Sequence, residues 1–253
     1  AMEVAAGKAF TLSGNLSLSH TELALIGKKA ESEWVGVNVG IMDQLISAVG
    51  KAGHAVLLDC KTLDFEYIPI PEDASFVVLD TKTRRELNQS AYNIRHEQVK
   101  RASSIMGVKD LREASLSLLE QKKELLSPVI YQRARHVLTE NERVHAFSTA
   151  MQKGDLHEMG QLINESHASL RDDFEVSSDE LNLIVALAQQ QSVCFGARMT
   201  GAGFGGCALA LIEKSNVRGF IKNVHQAYYA KTGIEPHIFK VESRDGVHAK
   251  QIN

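Results

Sequence analysis

Apolar positions along the chain follow two different periods, and the alternation between them sets out the predicted elements. Residues 2–10 already have helical spacing, and Ile41, Leu45, Ile46 and Val49 continue such a stripe over residues 41–49. Between them, residues 30–39 mix Trp34, Val35, Val37 and Val39 with Gly36 and carry no clean period. Residues 54–59 and 65–70 are short apolar runs separated by five turn-rich residues, which predicts a hairpin closed by Pro69 and Pro71. Residues 75–80 form a third strand candidate.

From residue 90 to residue 165 the pattern is helical, with Ala134, Val137, Leu138, Val144, Phe147 and Met151 recurring at three, four and seven residues. Gly154-Asp155 followed by Glu158 marks a stop and a new N-cap. Ser177 followed by Glu180 has capping-box spacing ahead of the apolar run 181–188. A glycine-rich turn then leads to a strand at 207–212. A helix follows on Val217, Phe220, Ile221, Val224 and Tyr228, ending at Thr232-Gly233, and a last strand covers 237–241. Strands and helices alternate without a strict repeat, so the fold class is α+β. The stretch 69–73 (Pro-Ile-Pro-Glu-Asp) is the predicted boundary between a region 1–70 and a region 71–253.

Composition narrows the partners. The 253 residues carry 28 Lys+Arg against 31 Asp+Glu, a net charge of −3, which leaves no basic surplus for a nucleic-acid backbone. With 44% hydrophobic and 23% charged residues the chain reads as an ordinary globule. No apolar run approaches the roughly 20 residues of a membrane helix, and the first ten residues lack a signal-peptide layout. Cys60, Cys194 and Cys207 are odd in number and without CxxC spacing, which suits a reducing, cytoplasmic setting.

The densest chemical signal is Arg198-Met199-Thr200-Gly201-Ala202-Gly203-Phe204-Gly205-Gly206. Glycines allow the positive φ of a backbone nest whose N–H groups converge on a phosphate, but a tight turn packed on another backbone needs them equally. No GK[ST] follows and there is no GxGxxG. In Gly40-Ile41-Met42-Asp43-Gln44 a carboxylate sits behind a glycine at a helix start, where it either orients a substrate hydroxyl or simply complements the helix dipole. Tyr92 either offers its hydroxyl to a polar ligand or belongs to the core. Ser166, His167 and Asp172 lack a GxSxG elbow and read as a polar helix exit; His136 and His145 do not share a face, and no His/Cys set has metal-ligand spacing. Cys207 is most simply a small core residue.

Together these segments resemble the galactokinases, a family of the GHMP kinase superfamily. Residues 40–44 are similar to that family's sugar-site motif and residues 199–207 to its C-terminal glycine motif; residues 135–141 and 165–177 fit as well. Val39 and Gln98 stand where cysteines are usual, and Ala202 replaces a glycine. The resemblance implies a GHMP-kinase-like α+β fold, with a partial N-terminal domain in residues 1–70 and a C-terminal domain of antiparallel sheet covered by helices in 71–253. It also implies ATP and Mg²⁺ as cofactors and D-galactose, phosphorylated at its C1 hydroxyl, as substrate. Asp43 would be the catalytic carboxylate, Gly40 and Tyr92 would contact the sugar with it, and Gly201, Gly203 and Gly205 would shape the nucleotide cleft; no protein metal ligand is implied. Two family segments, one resembling GRVNLIGEHTDY and one resembling GLSSSAA, do not occur in the sequence. The resemblance therefore implies an incomplete first domain whose exposed apolar surface pairs with the missing half, self-associates, or leaves the chain only marginally stable. A non-catalytic sugar- or partner-binding module, and a kinase for a related sugar such as N-acetylgalactosamine, are the alternative readings.

Overall fold

A computed structural model of the chain describes residues 1–35, 40–83 and 88–250. It divides into two compact units, one of residues 1–70 with 242–253 and one of residues 71–241. The first unit contains α1 (Met2–Ser13), α2 (His20–Lys29), a π-helical stretch (Ala30–Val35), α3 (Met42–Val49) and the antiparallel hairpin of β1 (His54–Leu58) and β2 (Phe65–Pro69). Val4, Leu23, Leu45 and Val49 meet in its core, with Val56, Phe65 and Val247 packed against them. α2 starts from a full capping box, in which Ser19 Oγ accepts from the Glu22 amide at 3.2 Å and the Glu22 carboxylate accepts from the Ser19 amide at 2.8 Å. The apolar period does not mark this helix, but its S-x-x-E cap does. Met2, Phe10 and Trp34 are exposed, at 85%, 72% and 88%.

The expected extent 71–253 for the second region needs a correction at its end. Residues after Val241 return to the first unit: Gly246 N–H donates to Gly50 O at 2.7 Å, Val247 N–H to Ser47 O at 2.8 Å, and Asp245 accepts from Ala52 N–H at 2.9 Å. These are backbone-directed bonds made by a segment without an element of its own, which no periodicity announces.

The second unit is built on a four-stranded antiparallel sheet in the order β4-β5-β3-β6, with β3 (Ala74–Asp80), β4 (Cys194–Met199), β5 (Cys207–Glu213) and β6 (His237–Val241). Val77, Leu79, Ala197, Ala208 and Ile212 of the sheet pack with side chains of α8 (Asp179–Gln189), such as Leu181 and Ile184, and of α9 (Val217–Thr232), such as Phe220, Val224 and Tyr228. A second core joins α4 (Asn88–Met106), α5 (Leu116–Gln121) and α6 (Pro128–Lys153) through Ala102, Met106, Leu119, Ile130 and Ala134. The long α6 begins at the Ser127 cap with Pro128 in its first turn and stops at the left-handed Gly154; Asp155 then caps α7 (Leu156–Asp172) as expected. The capping box expected at Ser177 is displaced: Ser178 caps α8 by accepting from Leu181 N–H, while Ser177 Oγ donates to Asn182 Oδ1.

Strand β4 escapes the periodic reading because its middle is Gly196-Ala197. Small residues lower strand propensity, and here they admit the backbone of α7. A Cβ on Gly196 would run into the Gly160 backbone, and a Cβ on Gly160 into the Phe195 carbonyl.

Candidate active site

Asp43 lies in the first turn of α3, exposed, where the free N–H groups of the helix favour its negative charge. Gly40, three residues before it, is exposed, and a side chain built there would meet nothing within 4 Å, so a ligand could approach the backbone closely. The next residue, Gln44, is buried and donates from Nε2 to Glu31 Oε2 at 2.9 Å. Glu31 in turn shares a hydrogen bond with Glu3 of α1. That bond and Glu3's own amide pull the Glu3 carboxyl down to about 2, while the Glu3 partner, desolvation and the neighbouring charges of Glu3 and Asp43 push Glu31 up. The π-helical segment thus brings a second carboxyl to the Asp43 neighbourhood. The sequence motifs did not single out Glu31, because its approach to Gln44 depends on how the π-helical stretch leaves α2. Among the described residues no three carboxylate, histidine or thiol groups converge as a ready metal site.

The glycine-rich loop between β4 and β5 belongs to the second unit. Gly201, Gly203, Phe204, Gly205 and Gly206 all take positive φ, between 62° and 130°. For Phe204 this is a sparsely populated conformation, held by its amide donating to Val176 O at 2.7 Å. Gly206 N–H donates to Thr83 O at 2.9 Å, and Gly206 O accepts from both the amide and the hydroxyl of Thr81, at 3.0 and 2.7 Å. Gly203 is pressed on the Val176 carbonyl so closely that no Cβ fits, whereas Gly201 and Gly206 have open space on their Cβ side. The two meanings left open for these glycines are therefore divided among them: Gly203 allows a backbone contact, and Gly201 lies where the loop is open.

The base of the loop is polar and braced. Arg198 donates to Glu140 Oε1 at 3.0 Å, and Glu140 is also paired with Arg143 and accepts from Ser166 Oγ. Met199 N–H donates to His167 Nδ1 at 3.2 Å, and burial pushes the His167 imidazole down to about 4, so it is neutral and accepts. His136 is held at about 4 by burial as well. It stacks on Phe174 at 4.5 Å and hydrogen-bonds Ser169 Oγ at 2.9 Å, and Ser169 donates to Asp173.

Of the candidate site residues, Gly40 and Asp43 stand together in the first unit. Gly201, Gly203 and Gly205 share one loop of the second, and Tyr92 falls within α4 with its side chain outside the described residues. Val39, also singled out, lies outside the described residues.

Residues 147–231 match the family described as GHMP kinases C terminal. Over 251 residues the chain is 40% identical to the galactokinase of Actinobacillus succinogenes, covering 98% of this chain and 65% of that protein. It is likewise 40% identical to the galactokinase of a Roseiflexus species, with 98% and 64% covered. The structure of Lactococcus lactis galactokinase complexed with galactose superposes at a TM-score of 0.91 and 36% identity, covering 97% of this chain and 65% of that one. Over almost its whole length the chain is similar to galactokinases. It has the GHMP-kinase α+β fold, shared with the L. major mevalonate kinase in complex with R-mevalonate at a TM-score of 0.63 and 22% identity. The chain spans less than two thirds of the length of the curated relatives it matches, 64–65%. Among the described residues no helix is long and apolar enough to cross a membrane.

Proposed function

We propose that the protein transfers the γ-phosphoryl group of ATP to the C1 hydroxyl of D-galactose. The observation that carries this reading is the exposed carboxylate of Asp43 in the first turn of α3 behind the open backbone of Gly40. It occurs in a chain that superposes at a TM-score of 0.91 on a galactokinase complexed with galactose. Phosphoryl transfer asks mainly for positioning and charge stabilisation, so a small set of groups suffices. Asp43 accepts or orients the proton of the C1 hydroxyl, while Gly40 and Tyr92 contact the sugar. The positive-φ backbone around Gly201 and Gly205 faces the nucleotide phosphates, with Gly203 holding the loop in place. Mg²⁺, when bound with the nucleotide, neutralises phosphate charge. The odd number of cysteines and their lack of CxxC spacing accord with a cytoplasmic setting, and the exposed Met2, Phe10 and Trp34 offer a surface to further polypeptide.

The test is ³¹P NMR of the protein with Mg-ATP and galactose. Galactose 1-phosphate is the expected product, and Asp43→Asn is expected to cut its formation by about 100- to 10,000-fold while leaving Mg-ATP binding within a few-fold. Near-normal turnover by that variant would remove Asp43 from the proposed role.

A further inference from the structure

The turn between α7 and α8 makes an uncommon use of its carbonyls. Three consecutive ones accept from two arginine side chains: Asp173 O from Arg133 Nη1, Phe174 O from Arg95 Nε at 2.6 Å, and Glu175 O from Arg95 Nη2 at 3.0 Å. The fourth, Val176 O, accepts from Phe204 N–H of the glycine loop and touches Gly203. Gln98 Oε1 lies between the two guanidiniums and accepts from both at 3.2 Å, and the Glu175 carboxylate pairs with Arg133 at 2.5 Å. Arg133 is 1% exposed, and Glu175 is held at φ +52°, a conformation that local preference does not favour. Carbonyls that face one another in a tight turn repel, and the arginine donors remove that repulsion while fixing where the fourth carbonyl points.

We propose that Arg95 and Arg133 are positioning residues for the glycine loop: clasping the 173–175 carbonyls, they aim Val176 O at Phe204 and so hold the Gly201–Gly205 backbone in its phosphate-facing conformation. Arg95 lies one turn along α4 from Tyr92, so the helix that carries a candidate sugar contact also carries one of the two clasps. The nucleotide part of this inference rests on the kinase reading; the mechanical part does not.

The planar fork of arginine is what the turn uses, and lysine keeps the charge without it. Hydrogen-exchange mass spectrometry on the full chain is therefore run with Arg133→Lys and, separately, Arg95→Lys, alongside titration with Mg-ATP. Exchange of the Phe204 amide is expected to accelerate at least tenfold, while the Gly206 amide, bonded to Thr83, and the β5 amides keep their rates. Mg-ATP affinity is expected to fall about tenfold. Glu175→Gln, which keeps all the carbonyl bonds, should give a smaller change in the same direction and serves as the test if a lysine variant fails to fold. Folded variants with an unchanged Phe204 rate overturn the clasp, as does acceleration spread evenly over the chain. Wild-type protein that binds no Mg-ATP refutes the kinase reading, with the Phe204 rates still deciding on the clasp. Binding that stays within twofold while Phe204 accelerates refutes the link to the nucleotide.

Discussion

Replacing Gly160 by alanine sets two effects of opposite sign against each other. Alanine is favoured over glycine inside a helix by about 1 kcal/mol, and Gly160 is in the first half of α7 with an ordinary helical backbone. Against this, the new methyl would lie 2.2 Å from the Phe195 carbonyl oxygen and 2.7 Å from Phe195 Cβ. The obstacle is backbone, so no side-chain rotation relieves it. The strand is also tethered to the same helix one turn later, where Asn164 Oδ1 accepts from Ala197 N–H at 3.0 Å. Helix and strand would have to separate by about 1 Å, which forfeits a quarter to a half of each dispersion contact along their interface. Overpacking of this kind costs about 1–3 kcal/mol or more, and a backbone obstacle puts it at the upper end. The net expectation is a loss of about 2 kcal/mol, or a fall in Tm of about 4–8 °C for a chain of this size. Gly219 of α9 supplies the control, since a Cβ there meets nothing within 4 Å. Gly219→Ala should gain up to about 1 kcal/mol. Urea unfolding followed by circular dichroism compares the two substitutions; equal or greater stability of Gly160→Ala than wild type would refute the packing argument.

The buried histidines predict acid sensitivity. His136 and His167 have native pKa values near 4, below the 6.5 of an exposed imidazole, so from pH 6.5 down to about 4 the unfolded chain binds protons that the native one does not. Stability should fall over that window, by about 2 kcal/mol per histidine at pH 5, and an NMR titration showing either imidazole protonating near 6.5 would contradict it. Phe220→Ala, at a side chain 1% exposed on the buried face of α9, should cost about 3–5 kcal/mol in urea unfolding, and a loss under 1 kcal/mol would mean that this core can collapse around the gap. Ser127→Ala removes the oxygen that accepts from Ile130 N–H at the start of α6 and should cost about 1 kcal/mol by the same measurement; no change would mean that Pro128 is sufficient to start the helix.

Local chemistry was legible in the residues themselves. The hairpin of β1 and β2, the Gly154 stop, the Asp155 cap and the end of α9 at Gly233 are each decided by a few neighbouring residues, and each stands where its pattern puts it. The segments around Asp43 and Gly201 were recognisable for the same reason, as compact strings of residue types with a definite chemistry. What depends on distant parts of the chain was not. Strand β4 has weak strand character because Gly160, 36 positions earlier than Gly196, needs the space. The return of residues 243–247 to the first unit is made by bonds to that unit's backbone, from the Gly246 and Val247 amides and to the Ser243 and Asp245 side chains, and no apolar period announces it. Gly203 and Gly201 look alike in sequence, and only the Val176 carbonyl distinguishes their roles. The clasp on that turn joins Arg95 and Arg133 to carbonyls 40 to 80 residues away. Periodicity reports which face of an element is buried; which backbone that face meets is decided only when the chain closes on itself.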